Sequence, residues 1–508
     1  MRDRAGEVTY GELAVAAARA ADAVGGMRRI ALLPRSDAAS LAVVLGAMGA
    51  GVSVVLLHRH VTAEAFARVL DVAQPEVVVG RSAGLGAGAL RADGPVALVE
   101  AARLAWEGEP GGRSSTLGKV GLDRARPGDE LLVGLTSGTS GEPKLFVRDQ
   151  ASWAATLDRS DTAFDVRPDD RVSVPGPLDH THFLYGALHA LTRGAVVDLR
   201  PLREAFATPH GAAPPVAAPP AAPPDAGPSA AVRAAADAEP THVYLVPTLA
   251  GDLAELLDGR PRAAVREVAS SSADWAPEAR ARLAELLPNA EILHFYGASE
   301  LSFVALDRWP ASTTREFWVQ ETRNARVIGA GTVGEPFPGV EVAVRDGLVH
   351  VRSDMLFRGY LADDGTLTGG PDADGWLTVG DRGELRDGRL FLAGRASETI
   401  VYGGLKVEPA EVERALATLP GVAEAACVGL PDERMGALPV VALVLAAASR
   451  RPSPTRATVR AHARATLPQP SRPHRVFVVD ALPRTPRGKL DRVELARRLA
   501  DGEAEELT

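Results

Sequence analysis

An α/β protein is predicted: a large N-terminal domain of helix-flanked sheets with a β-rich subdomain, then a small α/β C-terminal domain. Three observations carry this. Amphipathic helices alternate with short β-branched runs over roughly the first two hundred residues, which predicts a largely parallel sheet covered by helices. From Gly331 the pattern changes to short strands and turns. A joint near Gly394–Ser397 then leads into a compact helix–strand tail. A chain of 508 residues exceeds one ordinary core, so residues 1–394 and 395–508 are expected to be separate domains.

In order, Tyr10–Ala21 reads as a helix, Arg29–Leu33 as a strand, Ala38–Met48 as a helix and Val52–Leu57 as a strand. Ala63–Val72 and Val77–Val79 repeat the alternation. Strands are expected again at Arg171–Val174, Ala195–Asp198, His242–Val246 and Ile292–Phe295. The β-rich part offers Val340–Arg345, Leu348–Arg352, Gly383–Leu385 and Arg389–Leu392. The tail offers helices at Pro409–Leu416 and Thr458–Thr466, with strands at Ala425–Leu430 and Val440–Leu445. Between these regions, Ala207–Pro228 is rich in Ala and Pro, with three Pro-Pro pairs. So few large apolar side chains cannot offset ordering entropy, and a mobile surface loop is expected.

Bulk properties narrow the function. A net charge of -9 disfavours nucleic acid and anionic membranes as partners. Cys427 is the single cysteine, which excludes a disulfide framework and a thiolate zinc site. The polar opening Met1–Gly6 lacks the apolar core of a signal peptide, and a cytoplasmic setting is expected. Ser40–His58 carries no charge for 19 residues, near membrane-spanning length, yet holds three glycines at its middle. A buried helix entering a buried strand explains it better than a membrane span. The sequence leaves the oligomeric state open.

The 56 basic residues include only four lysines, Lys119, Lys144, Lys406 and Lys489, so 56 - 4 = 52 are arginine. Positions that stay lysine are candidates for needing a compact ammonium. One of them closes the strongest local signal, the apolar run Leu132–Leu135 followed by Thr136, Ser137, Gly138, Thr139, Ser140, Gly141, Glu142, Pro143 and Lys144. Glycines let backbone N–H groups approach an anion, hydroxyls donate to phosphate oxygens, and the ammonium neutralises outer phosphates. No Gly-Lys-Ser/Thr closes it, so it is not a Walker A loop. An ordinary solvated turn is the bland alternative.

This segment resembles the phosphate loop of the adenylate-forming superfamily of acyl- and aryl-CoA synthetases, luciferases and peptide-synthetase adenylation domains. Four further motifs follow in that family's order. They are Phe295-Tyr296-Gly297-Ala298-Ser299-Glu300, then Gly375–Asp381, then Gly394–Glu398 with Gly403–Pro409, then Pro483–Leu490. The likeness spans Val8 to Arg492 and implies a luciferase-like adenylate-forming fold.

The resemblance implies ATP, Mg²⁺ and CoA, or the phosphopantetheine of a separate carrier protein, as cosubstrates and cofactor, with a small carboxylic acid as substrate. Thr136–Lys144 would hold the outer phosphates, Glu300 would bind Mg²⁺ and Ser299 would meet the α-phosphate, while Tyr296 would lie against adenine, with Gly297 and Ala298 also nucleotide-binding. Asp381 would accept from ribose hydroxyls, supported by Arg395. Lys489 would neutralise charge where the acid attacks the α-phosphorus. Gly403 and Gly404 would line the pantetheine path after the tail swings about its hinge. Read in isolation, Glu300 is a surface acid at a helix start, Asp381 a turn residue and Tyr296 a core aromatic.

His180, placed by its spacing to Gly194, would gate the acid pocket, lined by Tyr185, Trp275, Leu301 and Phe303. Asp179 faintly resembles the aspartate that binds an α-amino group, although the same spacing argues against that register. Three positions depart from pattern: Ser397 at the hinge, Pro470 where tyrosine is usual, and Ser270-Ser271-Ser272-Ala273 where Gly-Gly-Ala is usual. With only a short stretch after Leu490, any carrier-protein acceptor is expected to be separate. The expectation is an acyl- or aryl-CoA ligase. Alternatives are an adenylate-forming relative that serves a carrier protein, an amine or nitrite, and a non-catalytic nucleotide-binding relative.

Overall fold

The computed structural model describes residues 1–59, 63–80, 97–107, 124–137, 143–207, 239–272, 275, 277–311, 332–403, 405–446, 454–485 and 489–507. The expected loop at 207–228 lies outside these residues except for Ala207, and so do Gly138–Gly141 and Gly404. The chain divides into two compact units. The first comprises Met1–Thr313, Phe337–Glu341 and Arg352–Leu377; the second comprises Thr314–Pro336, Val342–Val351 and Thr378–Thr508.

In the first unit, helix α1 (Tyr10–Val24) starts at Thr9, whose hydroxyl and the Glu12 carboxylate form a reciprocal capping box. Strand β1 (Arg29–Leu32), helix α2 (Ala38–Gly49), strand β2 (Ser53–Leu56), helix α3 (Ala63–Ala73) and strand β3 (Val77–Val79) follow as expected. The uncharged 40–58 stretch resolves into buried α2 and buried β2. Strands β4 (Ala97–Val99), β5 (Glu130–Ser137) and β6 (Pro143–Asp149) extend the sheet. Its order is 367–368, 359–361, β6, β5, β2, β1, β3, β4. The inner pairs β1–β2, β1–β3 and β2–β5 are parallel. Their continuous burial on both faces, rather than alternation, is the mark of a helix-covered parallel sheet.

Helices α4 (Gln150–Ser160) and α5 (Thr181–Thr192) lead into a second run of strands. These are β7 (Arg171–Ser173), β8 (Val196–Asp198), β9 (His242–Leu245), β10 (Glu267–Ser270), β11 (Glu291–Ala298) and β12 (Ser302–Trp309), ordered β12-β11-β10-β9-β7-β8. Strands β9, β10 and β11 are parallel neighbours, and β12 returns antiparallel to β11. Ligands of open α/β sheets bind outside the carboxyl ends of such parallel strands.

In the second unit, strand Asp381–Arg386 pairs antiparallel with Arg389–Arg395, and strands Val422–Asp432 and Gly436–Leu445 form a long hairpin. Alternation along that hairpin sends Ala426, Val428, Val440 and Ala442 to one face, with Phe477, Leu495 and Leu499. Cys427, Val441 and Leu443 go to the other, with Val412, Leu416 and Val459. Helix Arg492–Ala500 therefore covers one face, and helices Pro409–Ala417 and Arg456–Thr466 the other. No helix among the described residues is long and apolar enough to cross a membrane.

Candidate active site

Of the phosphate-loop candidates, Thr136, Ser137 and Lys144 lie on the β5–β6 hairpin, where Thr136 is the register partner of Lys144 and Ser137 of Pro143. Gly138, Thr139, Ser140 and Gly141 lie outside the described residues, so the structure gives the stem and not the tip. Strand 359–361 pairs with β6, Tyr360 opposite Phe146 and Leu361 opposite Leu145. That register sets Tyr360 beside Lys144, whose ammonium lies 5.1 Å from the centre of the tyrosine ring.

Glu300 arrives from the other sheet's hairpin. The turn Ala298–Ser302 between β11 and β12 contains Ser299, Glu300 and Leu301 and closes with a Leu301 N–H to Ala298 carbonyl bond of 3.1 Å. Gly297 allows this turn, because a Cβ there would stand 2.1 Å from the Ser302 carbonyl oxygen. Tyr296 and Gly297 flank a register shift in the ladder, a local kink that re-aims the turn. Glu300 is thus at a hairpin tip and not at the helix start its neighbours suggested. It is only 8% exposed, and its Oε1 accepts a 2.7 Å hydrogen bond from the Tyr360 hydroxyl. The Glu300 carbonyl also accepts from the Phe357 N–H at 2.9 Å.

Tyr360 is the residue that sequence reasoning missed. It joins the candidate metal carboxylate to the candidate phosphate lysine, and only the pairing of strand 359–361 with β6 brings it there. Magnesium suits this place: it takes one or two protein carboxylates and completes its shell with phosphate oxygens and water. A largely buried Glu300 carboxylate has the chemistry such a site needs, and among the described residues no cluster of three or more His, Cys, Asp or Glu is assembled to hold a metal.

Of the expected acid-pocket residues, His180 and Tyr185 lie at the start of α5, while Trp275 packs instead on His294. His180 caps α5, its Nδ1 accepting from the His182 N–H at 3.2 Å, and its ring lies 5.5 Å from that of Phe183. The His182 ring packs 5.4 Å from Phe295, the residue before Tyr296. Burial pushes His182 down to about 4, so it is neutral near pH 7. Tyr185 meets Phe303 at 5.0 Å, and Leu301 is 1% exposed. Asp179 is also buried, and its Oδ2 accepts from the Arg59 N–H at 3.1 Å.

In the second unit, Asp381 is not a turn residue but the first residue of its strand, 6% exposed. It is the register partner of Arg395, whose Nε donates to its Oδ1 at 2.9 Å. Gly403 takes φ +56°, and a Cβ there would meet the Met435 methyl at 2.5 Å. Lys489 is exposed, and its carbonyl accepts from the Thr485 N–H at 2.7 Å. Three residues on, Arg492 begins its helix and makes a dense set of bonds. It donates to Glu398 at 3.0 Å, to Glu413 through two nitrogens, and to the Cys427 carbonyl at 3.0 Å. The segment bearing Lys489 is thereby tied to the residue that follows Ser397, whose own side chain lies outside the described set.

The model of the AMP-binding enzyme family matches residues 1–361, and that of the AMP-binding enzyme C-terminal domain matches residues 411–489. An uncharacterized acyl-CoA ligase of Bacillus subtilis, YhfT, is 33% identical over 383 residues, covering 74% of this chain and 70% of that protein. The solved structure of the amide bond synthetase McbA from Marinactinospora thermotolerans aligns with a TM-score of 0.77 at 26% identity, covering 98% of this chain and 96% of McbA. ATP-bound MatB from Rhodopseudomonas palustris shares the fold, with a TM-score of 0.75 at 22% identity over 98% of this chain and 95% of MatB. With the matched residues covering most of the chain, this protein belongs to the AMP-binding enzyme family.

Proposed function

We propose that this enzyme adenylates a fatty or aryl carboxylic acid with ATP and then transfers the acyl group to CoA. The observation that carries it is the Lys144–Tyr360–Glu300 arrangement, a cation and a largely buried carboxylate held by one tyrosine beside the β5–β6 hairpin. The likeness to an acyl-CoA ligase over 74% of the chain supports the thiol as acceptor.

In this reading Thr136–Lys144 hold the outer phosphates and Ser299 meets the α-phosphate. Glu300 holds magnesium, which when bound neutralises phosphate charge. Tyr296, Gly297 and Ala298 lie along adenine, Asp381 accepts from ribose with Arg395 behind it, and His180 gates the acid. Residues 395–508 act as a lid that turns about Ser397. In one position the lid supplies the Lys489 ammonium to two anions as they meet. In the other it opens the Gly403–Gly404 path to the thiol.

Pyrophosphate exchange that depends on added carboxylate, followed by acyl-CoA detected by mass spectrometry, tests this. Lys489→Ala is expected to abolish exchange, and no exchange across a broad acid panel would overturn the assignment. The likeness to an amide bond synthetase favours a second reading, with an amine in place of the thiol. It would show as adenylate formation that yields amide and no acyl-CoA.

A further inference from the structure

Helix α4 buries hydroxyls where an amphipathic helix would bury carbon: Ser152, Thr156 and Ser160 recur at i, i+4 and i+8 on its covered face. Arg148, near the end of β6, packs against this face and is itself 3% exposed. Its Nε donates to the Ser152 hydroxyl and its Nη2 to the Thr156 hydroxyl, each at 3.1 Å. The Trp153 ring lies 5.6 Å from the guanidinium and helps to fix it.

Chemistry sets the direction of the remaining bonds. A guanidinium only donates, so Thr156 Oγ1 accepts from Arg148. The one Thr156 proton goes to the Ser152 carbonyl at 2.8 Å, the bond that helical threonines make to the preceding turn. The Ser302 hydroxyl, 3.0 Å from the same threonine oxygen, must then donate to it. Ser302 closes the Glu300 turn: it opens β12 opposite Ala298 and holds φ +61°, a conformation that glycine takes freely and a residue with a Cβ adopts under strain. The bond to Thr156 anchors this strained residue from outside its own hairpin.

Strand β6 thus holds the turn at two points. Tyr360, on the strand paired with β6, takes the Glu300 carboxylate. Arg148, on β6 itself, reaches the closing residue through Thr156 and Ser302. Lys144 belongs to the same strand, so the strand bearing the candidate phosphate cation also sets the candidate metal carboxylate.

We propose that Arg148 and Thr156 are positioning residues for the magnesium nucleotide: through the Ser302 hydroxyl they hold the left-handed turn that aims the Glu300 carboxylate. This rests on the reading of Glu300 as the magnesium ligand. Both residues act through Glu300, not on the nucleotide.

The test is ATP binding by equilibrium dialysis across a magnesium series, which requires no knowledge of the acid. Glu300→Gln sets the reference, because most of the gain in ATP binding that magnesium gives the wild type should be lost in it. Thr156→Val keeps the side-chain shape and deletes the hydroxyl. It is expected to raise the magnesium needed for half-maximal binding by about three- to tenfold, and Thr156→Ser should restore the wild-type requirement. Ser302→Ala is expected to match Thr156→Val, whereas Ser302→Gly needs no bond to hold φ +61° and should stay close to the wild type. Thr156→Val combined with Ser302→Ala should be no worse than either alone, since both remove one bond. Should Thr156→Val fail to fold, the two Ser302 variants decide. An unchanged magnesium requirement in Ser302→Ala, or equal losses in Ser302→Ala and Ser302→Gly, overturns the proposal. So do lowered thermal midpoints with the magnesium dependence intact, which would make the network structural. A magnesium dependence that survives in Glu300→Gln would instead sink the reading of Glu300, and this proposal with it.

Discussion

Replacing Tyr360 by phenylalanine removes one oxygen and keeps the ring. In the native protein that oxygen donates to Glu300 at 2.7 Å, and Glu300 is 8% exposed, so water cannot fully replace the bond. A hydrogen bond to a charged group contributes about 1.5–3 kcal/mol. If that energy serves to hold the carboxylate in its working position, its loss slows adenylation by about 10- to 150-fold, at roughly 1.4 kcal/mol per tenfold. Tyr360→Leu removes the ring under Lys144 as well. A cation–π contact to an exposed ammonium is worth about 0.5–1 kcal/mol, a further two- to fivefold. The two variants should therefore separate. Phenylalanine lowers kcat of carboxylate-dependent pyrophosphate exchange and raises the magnesium needed for ATP binding in equilibrium dialysis, while leucine also weakens ATP binding at saturating magnesium. A Tyr360→Phe enzyme within twofold of wild type at every magnesium concentration would refute the positioning role.

Other expectations follow from the same geometry. Gly297→Ala pushes a Cβ against the Ser302 carbonyl oxygen and should abolish exchange by displacing the Glu300 turn; an active Gly297→Ala enzyme would show that the turn tolerates rebuilding. Arg492→Ala strands Glu398, Glu413 and the Cys427 carbonyl. Glu398 is 34% exposed, which discounts the loss for screening, leaving about 2–3 kcal/mol. Faster amide hydrogen exchange at Cys427, whose N–H donates to Glu413 at 2.7 Å, would register it, and unchanged exchange would contradict it. Stability should also peak near pH 6.5. Burial pushes His182 to about 4 and His294 to about 3, so these rings stay neutral in the folded chain while unfolded histidines charge below 6.5. Each then removes about 1.4 kcal/mol per pH unit as pH falls from there. Burial raises Glu267 to about 8, so it stays protonated when folded but ionises above 4.5 when unfolded, and stability declines as pH rises from 4.5 to 8. Two histidines outweigh one carboxyl below pH 6.5, and the carboxyl acts above it. Urea midpoints that rise from pH 6.5 to 8, or a Glu267→Gln variant that keeps the decline, would disprove this.

Much of the fold was legible because it is written locally. Helices α1 to α3 and strands β1 to β3 fall within a few residues of where periodicity puts them, since each carries its own apolar pattern and turn residues. The hairpin partner β6 was missed, although Leu145, Phe146 and Val147 are as buried as any strand, because the hydroxyl-rich loop before it masks the register. Glu300 was a candidate from its motif, but the hairpin turn that carries it was not legible. The sharp turn depends on the absence of a Cβ at Gly297 and on Ser302 accepting φ +61°, facts about space that no spacing reveals. Tyr360 was illegible for a different reason. A single aromatic sixty residues from its carboxylate partner has no periodicity to announce it, and only strand order brings the two together.

The arginine that ties the tail together also bears on how such enzymes can be recombined. Glu398, Glu413 and Arg492 come from points 94 and 79 residues apart along the chain, yet they meet as one electrostatic knot. A chimera spliced ahead of Glu398 would inherit all three from a single donor and keep the knot whole. A crossover placed after Glu413 would ask one parent's arginine to satisfy another parent's carboxylates, so the graft junction, more than the overall similarity of the parents, decides whether the hybrid tail folds.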